Sequence, residues 1–154
     1  MTQLRTRIEL VVLIISVSAF IFFTPFVLGQ KQPAIEASIK QNMTFLDGMV
    51  KKYHERFGKY PDNIDTLVND ARKNSYNKTL FNPILKNGGD ANNRQIIVKY
   101  SDVDYKKIFN TSANLMFSGK TGYYTDGKKY VIYGHLKDGS LLQTQDGPLK
   151  LGDL

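Results

Sequence analysis

The sequence predicts an α+β protein in which a long N-terminal helix packs on a small antiparallel β-sheet. Three observations support this fold class: an apolar run at residues 8–28, a helical apolar pattern at residues 34–57, and two Asp-Gly turn pairs at 126–127 and 138–139. A helical first half and a strand-rich second half are typical of the α+β class.

The apolar run IELVVLIISVSAFIFFTPFVL, residues 8–28, carries a single charge, Glu9. At 1.5 Å per residue such a helix reaches roughly 30 Å, the thickness of a hydrocarbon core. A buried core helix is the weakest interpretation, because a globular helix shows polar residues on its outer face. A signal peptide is the main rival, since Arg5 and Arg7 precede the run and residues 27–29 fit a cleavage site, but signal cores span only ~7–15 residues. We therefore predict a retained transmembrane helix.

This anchor divides the chain into a short cytoplasmic tail at residues 1–7, the transmembrane helix at 8–28 and one extracytoplasmic α+β domain at 29–154. The net charge of +7 is scattered, with no run of five or six basic residues. Such a distribution indicates a solvated surface, and a patch that binds nucleic acid or anionic lipid is the alternative. The chain has no Cys, which excludes disulfides, thiolate metal sites and thiol nucleophiles.

The second part of the long helix is predicted to be amphipathic. Seven apolar residues recur at spacings of three or four and would share one stripe: Ile35, Ile39, Met43, Leu46, Val50, Tyr53 and Phe57. Gly58 and Pro61 then mark the helix end. We interpret the stripe as the core face of the domain, and an interface with another protein is the alternative.

Asp62 is predicted to cap a short second helix that covers residues 64–68. Beyond residue 71 the sequence is rich in Asn and Gly, which predicts a long connecting loop. Strand-like runs follow at residues 95–100, 105–109 and 114–117.

The two Asp-Gly pairs predict hairpins that build a three-stranded meander. In a two-residue register Tyr123 would face Tyr130, and Leu136 would face Leu141. The tail at residues 149–154 is predicted to be an edge strand or frayed. One face of the middle strand is predicted to pack on the helix stripe: Tyr130, Ile132, Gly134 and Leu136.

Three short motifs occur in a characteristic order. Residues 8–12 read I-E-L-V-V, residues 57–61 read F-G-K-Y-P with Leu67 following, and residues 125–132 read T-D-G-K-K-Y-V-I. In this order and spacing they resemble the type IV pilin and type II secretion pseudopilin family. The resemblance covers the layout of the whole chain, and its specific part is confined to these motifs.

The resemblance implies a non-enzymatic, single-pass protein of the bacterial cytoplasmic membrane with its C-terminal domain extracytoplasmic. Its partners would be the membrane, other pilin-like subunits or copies of itself through the N-terminal helix, and assembly platform proteins. The residues themselves give no clear sign of a nucleic-acid partner. Glu9 would be the filament-assembly residue, paired with the free amino group of a neighbouring subunit, since an unpaired carboxylate in hydrocarbon is costly. A local pair with Arg5 is the alternative for Glu9.

The N-terminus departs from the family pattern. Alignment on Glu9 puts Leu4 where the family has its cleavage glycine, Arg5 where it has an apolar methylated residue, and Arg7 as a further charge. A pilin-like protein that stays in the membrane, an atypical minor subunit and a misplaced start all remain open. The alternative of another class is a single-pass, membrane-anchored extracytoplasmic binding domain that does not polymerise.

The sequence contains no catalytic, cofactor-binding or metal-binding pattern. Its two histidines, His54 and His135, lack partners at metal-ligand spacing, and His135 is predicted to face the side of the sheet opposite the helix. Asp126, Asp138 and Asp146 offer oxygen ligands in the region where some pseudopilins bind calcium. Turn chemistry accounts for the first two without an ion.

Overall fold

The computed structural model describes residues 31–100, 105, 107–108 and 113–154. The predicted transmembrane helix at residues 8–28 lies outside these residues. Within the described part of the chain, no helix combines the length and apolar character needed to cross a membrane. The chain divides into two compact units, Met1–Ala34 and Ile35–Leu154. Of the first, only residues 31–34 are described; the second, called the body below, confirms the α+β class.

Helix α1 spans Lys31–Phe57 and confirms the predicted apolar stripe. Its buried side chains belong to the main core: Ile39, Met43, Leu46, Met49, Val50 and Tyr53. Phe57 differs from the prediction, with 49% of its surface exposed. As the last helical residue it contacts the Tyr53 ring, 4.5 Å away between centroids, and the Arg56 guanidinium, 5.6 Å from its ring centroid. Gly58 then ends the helix at a φ of 68°, and its N–H donates to the His54 carbonyl.

Helix α2 spans Ile64–Lys73 and buries one apolar face in the same core. The predicted cap is wrong by one residue, because the helix begins at Ile64 and its cap is therefore Asn63 rather than Asp62. The Asn63 side chain accepts the Asp65 N–H at 2.7 Å. The helix is also longer than predicted.

The predicted long loop contains a small hairpin. Strands β1, Leu80–Asn82, and β2, Asn87–Gly89, pair antiparallel. The Asn42 side chain on α1 holds this hairpin, since its amide donates to the Phe81 carbonyl at 2.6 Å and accepts the Phe81 N–H at 3.0 Å. The Asn42 side chain thus satisfies backbone hydrogen-bonding groups of a segment that the sequence predicts to be an irregular loop.

Asn82 is fully buried and holds three segments together. Its amide nitrogen donates to the carbonyls of Gln95 at 2.7 Å and Ser118 at 3.1 Å. Its amide oxygen accepts the N–H groups of Ile84 and Leu85 at 2.9 and 3.0 Å. All four bonds compensate for the burial of a polar side chain.

Six further strands follow in the chain: β3 Ile97–Lys99, β4 Thr121–Thr125, β5 Tyr130–Gly134, β6 Gln143–Thr144, β7 Gly147–Pro148 and β8 Lys150–Gly152. The main sheet has the order β3-β4-β5-β8, while β6 and β7 pair with each other. Strand β3 runs parallel to β4, so the sheet is mixed rather than purely antiparallel as predicted. The connection between these two strands is long enough for a parallel crossover.

The predicted strand at 114–117 is not extended, and neither are the described residues of the predicted strand at 105–109. Residues 114–117 contain a 3₁₀ helix, Leu115–Phe117, capped by the Asn114 side chain, which accepts the Met116 N–H at 3.0 Å. Tyr105 and Lys107 have helical backbone. The Asn114 cap explains why residues 114–117 are not a strand. An Asn side chain that accepts the N–H group two residues later favours a turn over a strand.

The first hairpin forms between β4 and β5, but the predicted register is wrong. Thr125 pairs with Tyr130, which puts Tyr123 opposite Ile132. The loop holds four residues, 126–129, rather than two. The Asp126 carboxylate stabilises this longer loop because it accepts the N–H groups of Lys128 and Lys129 at 2.8 and 2.7 Å.

The second hairpin is one residue longer than predicted. His135, not Leu136, lies opposite Leu141, and the Leu136 N–H donates to the Ser140 carbonyl at 2.8 Å. Gly139, at a φ of 83°, is the third loop residue, as in hairpins with a bulge. The Leu142 N–H still donates to the Gly134 carbonyl at 2.8 Å, after which the chain leaves the sheet and β8 pairs with β5. The tail is therefore an edge strand, one of the two predicted outcomes.

Strand β5 separates two cores. Tyr130 and Ile132 join the main core beneath α1, whereas Val131 and Tyr133 belong to a smaller cluster on the other face. Gly134 lies under α1 so closely that a Cβ there would be 2.3 Å from Ile39 Cγ2. The predicted helix-facing side of this strand is confirmed.

Candidate functional site

Glu9, the one site residue that the sequence predicts, lies outside the described residues. Its pairing, whether with a neighbouring subunit or with Arg5, therefore stays a prediction. In the part of the chain that the structure describes, no group of three or more His, Asp or Glu side chains is placed to hold a metal ion.

His135 is buried on the side of the sheet opposite α1, as predicted. Its Nδ1 lies 2.8 Å from the Gly139 carbonyl oxygen, and its Nε2 contacts the Tyr100 hydroxyl. A carbonyl can only accept, so Nδ1 carries the proton and Nε2 accepts from Tyr100. Burial, opposed by the hydrogen bond to the Gly139 carbonyl and assisted by the charge of Lys120, lowers the pKa of His135 to about 4. The imidazole is neutral and joins the second hairpin to the end of β3.

The three aspartates considered for calcium lie in separate turns. The pKa of Asp126 is lowered mainly by the N–H groups of Lys129 and Lys128, which its carboxylate accepts. The pKa of Asp138 is lowered by its hydrogen bonds from Ser140. Asp146 is exposed in the loop between β6 and β7. Turn chemistry therefore explains Asp126 and Asp138, and the three side chains form no common site.

The G-K-Y-P part of the second motif, residues 58–61, joins α1 to the sheet. Tyr60 stacks on His54, with 4.4 Å between ring centroids, and its hydroxyl donates to Asp153 at 3.1 Å. The Pro61 carbonyl accepts the buried Tyr123 hydroxyl at 2.9 Å. The motif thus has a structural role in the body, which its sequence alone does not reveal.

A cleft of about 400 Å³ lies beside this motif and contains Tyr60 and Tyr130. The Tyr130 hydroxyl donates to Asp47 at 2.5 Å. Burial, followed by the neighbouring carboxylates, raises the pKa of both phenols. These tyrosines stay protonated at neutral pH and serve as hydrogen-bond donors rather than as nucleophiles.

The candidate functional site is a groove of about 430 Å³ between the first turn of α2 and the 3₁₀ helix. Strand β3 contributes Ile97 and Val98 to its lining, and Phe117 closes one side. The Phe117 ring packs inward on His135, 4.9 Å away between centroids, while Met116 at the rim remains 74% exposed. Exposed methionine is typical of adaptable binding surfaces.

The groove is also positively charged. Arg94, Lys99 and Lys120 line it, and among the described residues the only carboxylate in the lining is that of Asp65. Among the described residues, none of the three cations forms an ion pair. The Lys99 ammonium instead donates to the Asp62 carbonyl. An apolar lining with an excess of unpaired cations suits a ligand that carries both apolar groups and carboxylates.

Sequence reasoning missed this groove, because it interpreted the basic residues as a scattered solvated charge and residues 114–117 as a strand. One signal was present: Leu115 and Met116 are adjacent apolar residues that follow an Asn cap in a polar region. Both side chains are about three-quarters exposed, at 75% and 74%.

The chain matches no protein-family model, no curated protein and no solved structure. Functional inference therefore depends on its own residues and on the motifs described above.

Proposed function

We propose that the chain is a non-enzymatic, pilin-like (pseudopilin) membrane protein, a subunit or accessory of a type IV pilus or type II secretion filament. It assembles through its apolar N-terminal helix and carries the body outside the bacterial cytoplasmic membrane. Its partners are other pilin-like subunits or further copies of itself, and the proteins of the assembly platform.

Helix α1 is the observation that carries this proposal. It begins at Lys31, separated from the end of the apolar run by two residues in sequence, and is 27 residues long, about 40 Å at 1.5 Å per residue. Residues 32–38 contribute no buried side chain, and burial starts only at Ile39. A helix that buries side chains in the body only after its first third suits a stalk whose initial residues are occupied elsewhere.

The chemistry of the body agrees with a role in assembly rather than catalysis. The buried His135 has both ring nitrogens bonded within the fold. The tyrosines of the cleft next to α1 donate to Asp47 and Asp153. These three side chains, which would be suited to proton transfer, instead hold the structure together.

The first test is an intact mass and N-terminal sequence of the protein taken from its own membrane. Loss of a short leader with methylation of the new N-terminus supports filament assembly. An intact Met1 favours a resident membrane protein instead.

The second test replaces Glu9 with Ala. Incorporation into the filament fraction should fall while the body stays folded, because the carboxylate would no longer pair with the neighbouring amino group. Glu55→Ala, at an exposed position of α1, is the matched control and should assemble normally. Unchanged incorporation of the Glu9 variant would count against the pairing role.

The alternative is a single-pass, membrane-anchored binding domain that does not polymerise, and the basic groove favours it. Crosslinking in native membranes separates the two proposals. A ladder of self-linked or pilin-linked products supports assembly, and a single product with an unrelated protein supports the binding domain.

A further inference from the structure

We infer that the groove between α2 and the 3₁₀ helix is a docking site for a peptide segment of a partner protein, in which apolar side chains alternate with carboxylates. This inference concerns the body alone, so it holds whether or not the chain enters a filament.

The apolar part of the groove selects apolar side chains. Ile97 and Val98 lie on a strand, and Phe117 is held against His135, so these parts of the lining are preformed. Met116 projects at the rim with 74% of its surface exposed, although it lies next to the half-buried Phe117. The exposed thioether provides a flexible wall that a partner side chain can cover.

The charges of the groove select carboxylates. Of the lining residues that the structure describes, Arg94, Lys99 and Lys120 are basic and only Asp65, in the first turn of α2, is acidic. Asp65 is placed to offset the dipole of that helix. The three cations have no ion-pair partner among the described residues. Acidic residues of a partner would therefore meet excess positive charge.

The shape of the groove favours a peptide over a lipid surface. A volume of about 430 Å³ is within the range of ligand pockets and accepts several side chains. A flat membrane would touch Met116 and the rim cations but would not reach Ile97 and Val98 on the strand. Because both the apolar lining and the cations contribute, the occupant is an extended segment that enters the groove.

The test uses the full chain in mild detergent and a fluorescein-labelled synthetic peptide in which two leucines alternate with Asp and Glu residues. Fluorescence anisotropy should show saturable binding in about 50 mM NaCl that weakens in about 300 mM NaCl, because salt screens rim charges. The same peptide with Asn and Gln in place of the carboxylates should bind at least about tenfold more weakly.

Two variants test the groove itself. Arg94→Glu with Lys120→Glu should weaken peptide binding by about tenfold or more. Lys73→Glu with Lys128→Glu is the matched control, since it changes the net charge equally at exposed sites outside the groove and should leave affinity within about twofold.

Met116→Ser tests the apolar rim at a side chain too exposed to support the fold. It should weaken binding by up to about tenfold, while Leu85→Ser, at an exposed leucine outside the groove, should not. Three results would each overturn the inference: equal binding of the neutral peptide, equal loss in both charge-reversal variants, or binding to phosphatidylglycerol vesicles with no binding to the peptide.

Discussion

His135 gives the body a pH dependence of stability that follows from its surroundings. Burial lowers the pKa of this imidazole to about 4, whereas the unfolded chain titrates near the ordinary value of 6.5. As the pH falls below 6.5, the unfolded chain binds a proton that the folded body excludes, so the free energy of unfolding falls. The stability that neutral His135 contributes is fully present above pH 6.5 and is lost as the pH decreases to about 4.

The magnitude follows from the difference between 6.5 and about 4. At 1.36 kcal/mol per pKa unit the whole loss is about 3.4 kcal/mol, of which about 2 kcal/mol has occurred by pH 5. Such a change is a large share of the stability of a domain of this size. Carboxylates whose pKa is lowered, such as that of Asp138, lose their contribution only at more acidic pH.

The assay is urea unfolding of the full chain in mild detergent at about pH 7.5 and about pH 5, followed by near-ultraviolet circular dichroism of its tyrosines. In His135→Gln the free energy lost between the two pH values should be about 2 kcal/mol smaller than in the wild type, because the titrating group is gone. His54→Gln, at a half-buried histidine of α1, should keep the wild-type pH dependence. If His135→Gln lost as much stability on acidification as the wild type, the assignment to His135 would be refuted.

Two further predictions concern packing and buried hydrogen bonds, and both are measured by the same urea titration at neutral pH. Gly134→Ala should destabilise the body by about 1–3 kcal/mol because the new methyl group would overlap Ile39, whereas Gly48→Ala, on α1 with no neighbour within 4 Å, should be neutral or stabilising by up to about 1 kcal/mol. Equal effects of the two substitutions would contradict the close approach of β5 to α1. Asn82→Ala should cost about 3–5 kcal/mol since it leaves four backbone groups without their partner, while Asn92→Ala, at an exposed position, should cost less than about 0.5 kcal/mol.

The helical half of the body was predictable because its signals are local. Apolar residues at spacings of three and four lie on one face when the segment is helical. The stripe residues from Ile39 to Tyr53 are buried, as expected. The cap of α2 shows the limit of such reasoning. Asp and Asn are both favoured at helix N-caps, so residue type does not distinguish Asp62 from Asn63. The residue at which the helix begins decides between them.

Hairpin registers were less predictable, because they depend on which backbone groups the loop side chains satisfy. The Asp-Gly pairs indicated both turns correctly. The Asp126 carboxylate, however, accepts two N–H groups and lengthens the first loop, and Gly139 occupies the third position of the second. Each longer loop shifts the register, so that the residues facing each other across the two strands differ from the predicted pairs.

The sequence by itself determined the α+β class, the long helix with its buried stripe, and the places of the two turns, since each depends on residues close together in the chain. Only the tertiary structure decided the parallel pairing of β3 with β4, the role of Asn82 and the basic groove. The groove collects Asp65, Arg94 and Lys120 from separate segments, and a crossover brings them together. A repeating pattern in the sequence does not indicate such contacts, because their energy depends on distances in space rather than along the chain.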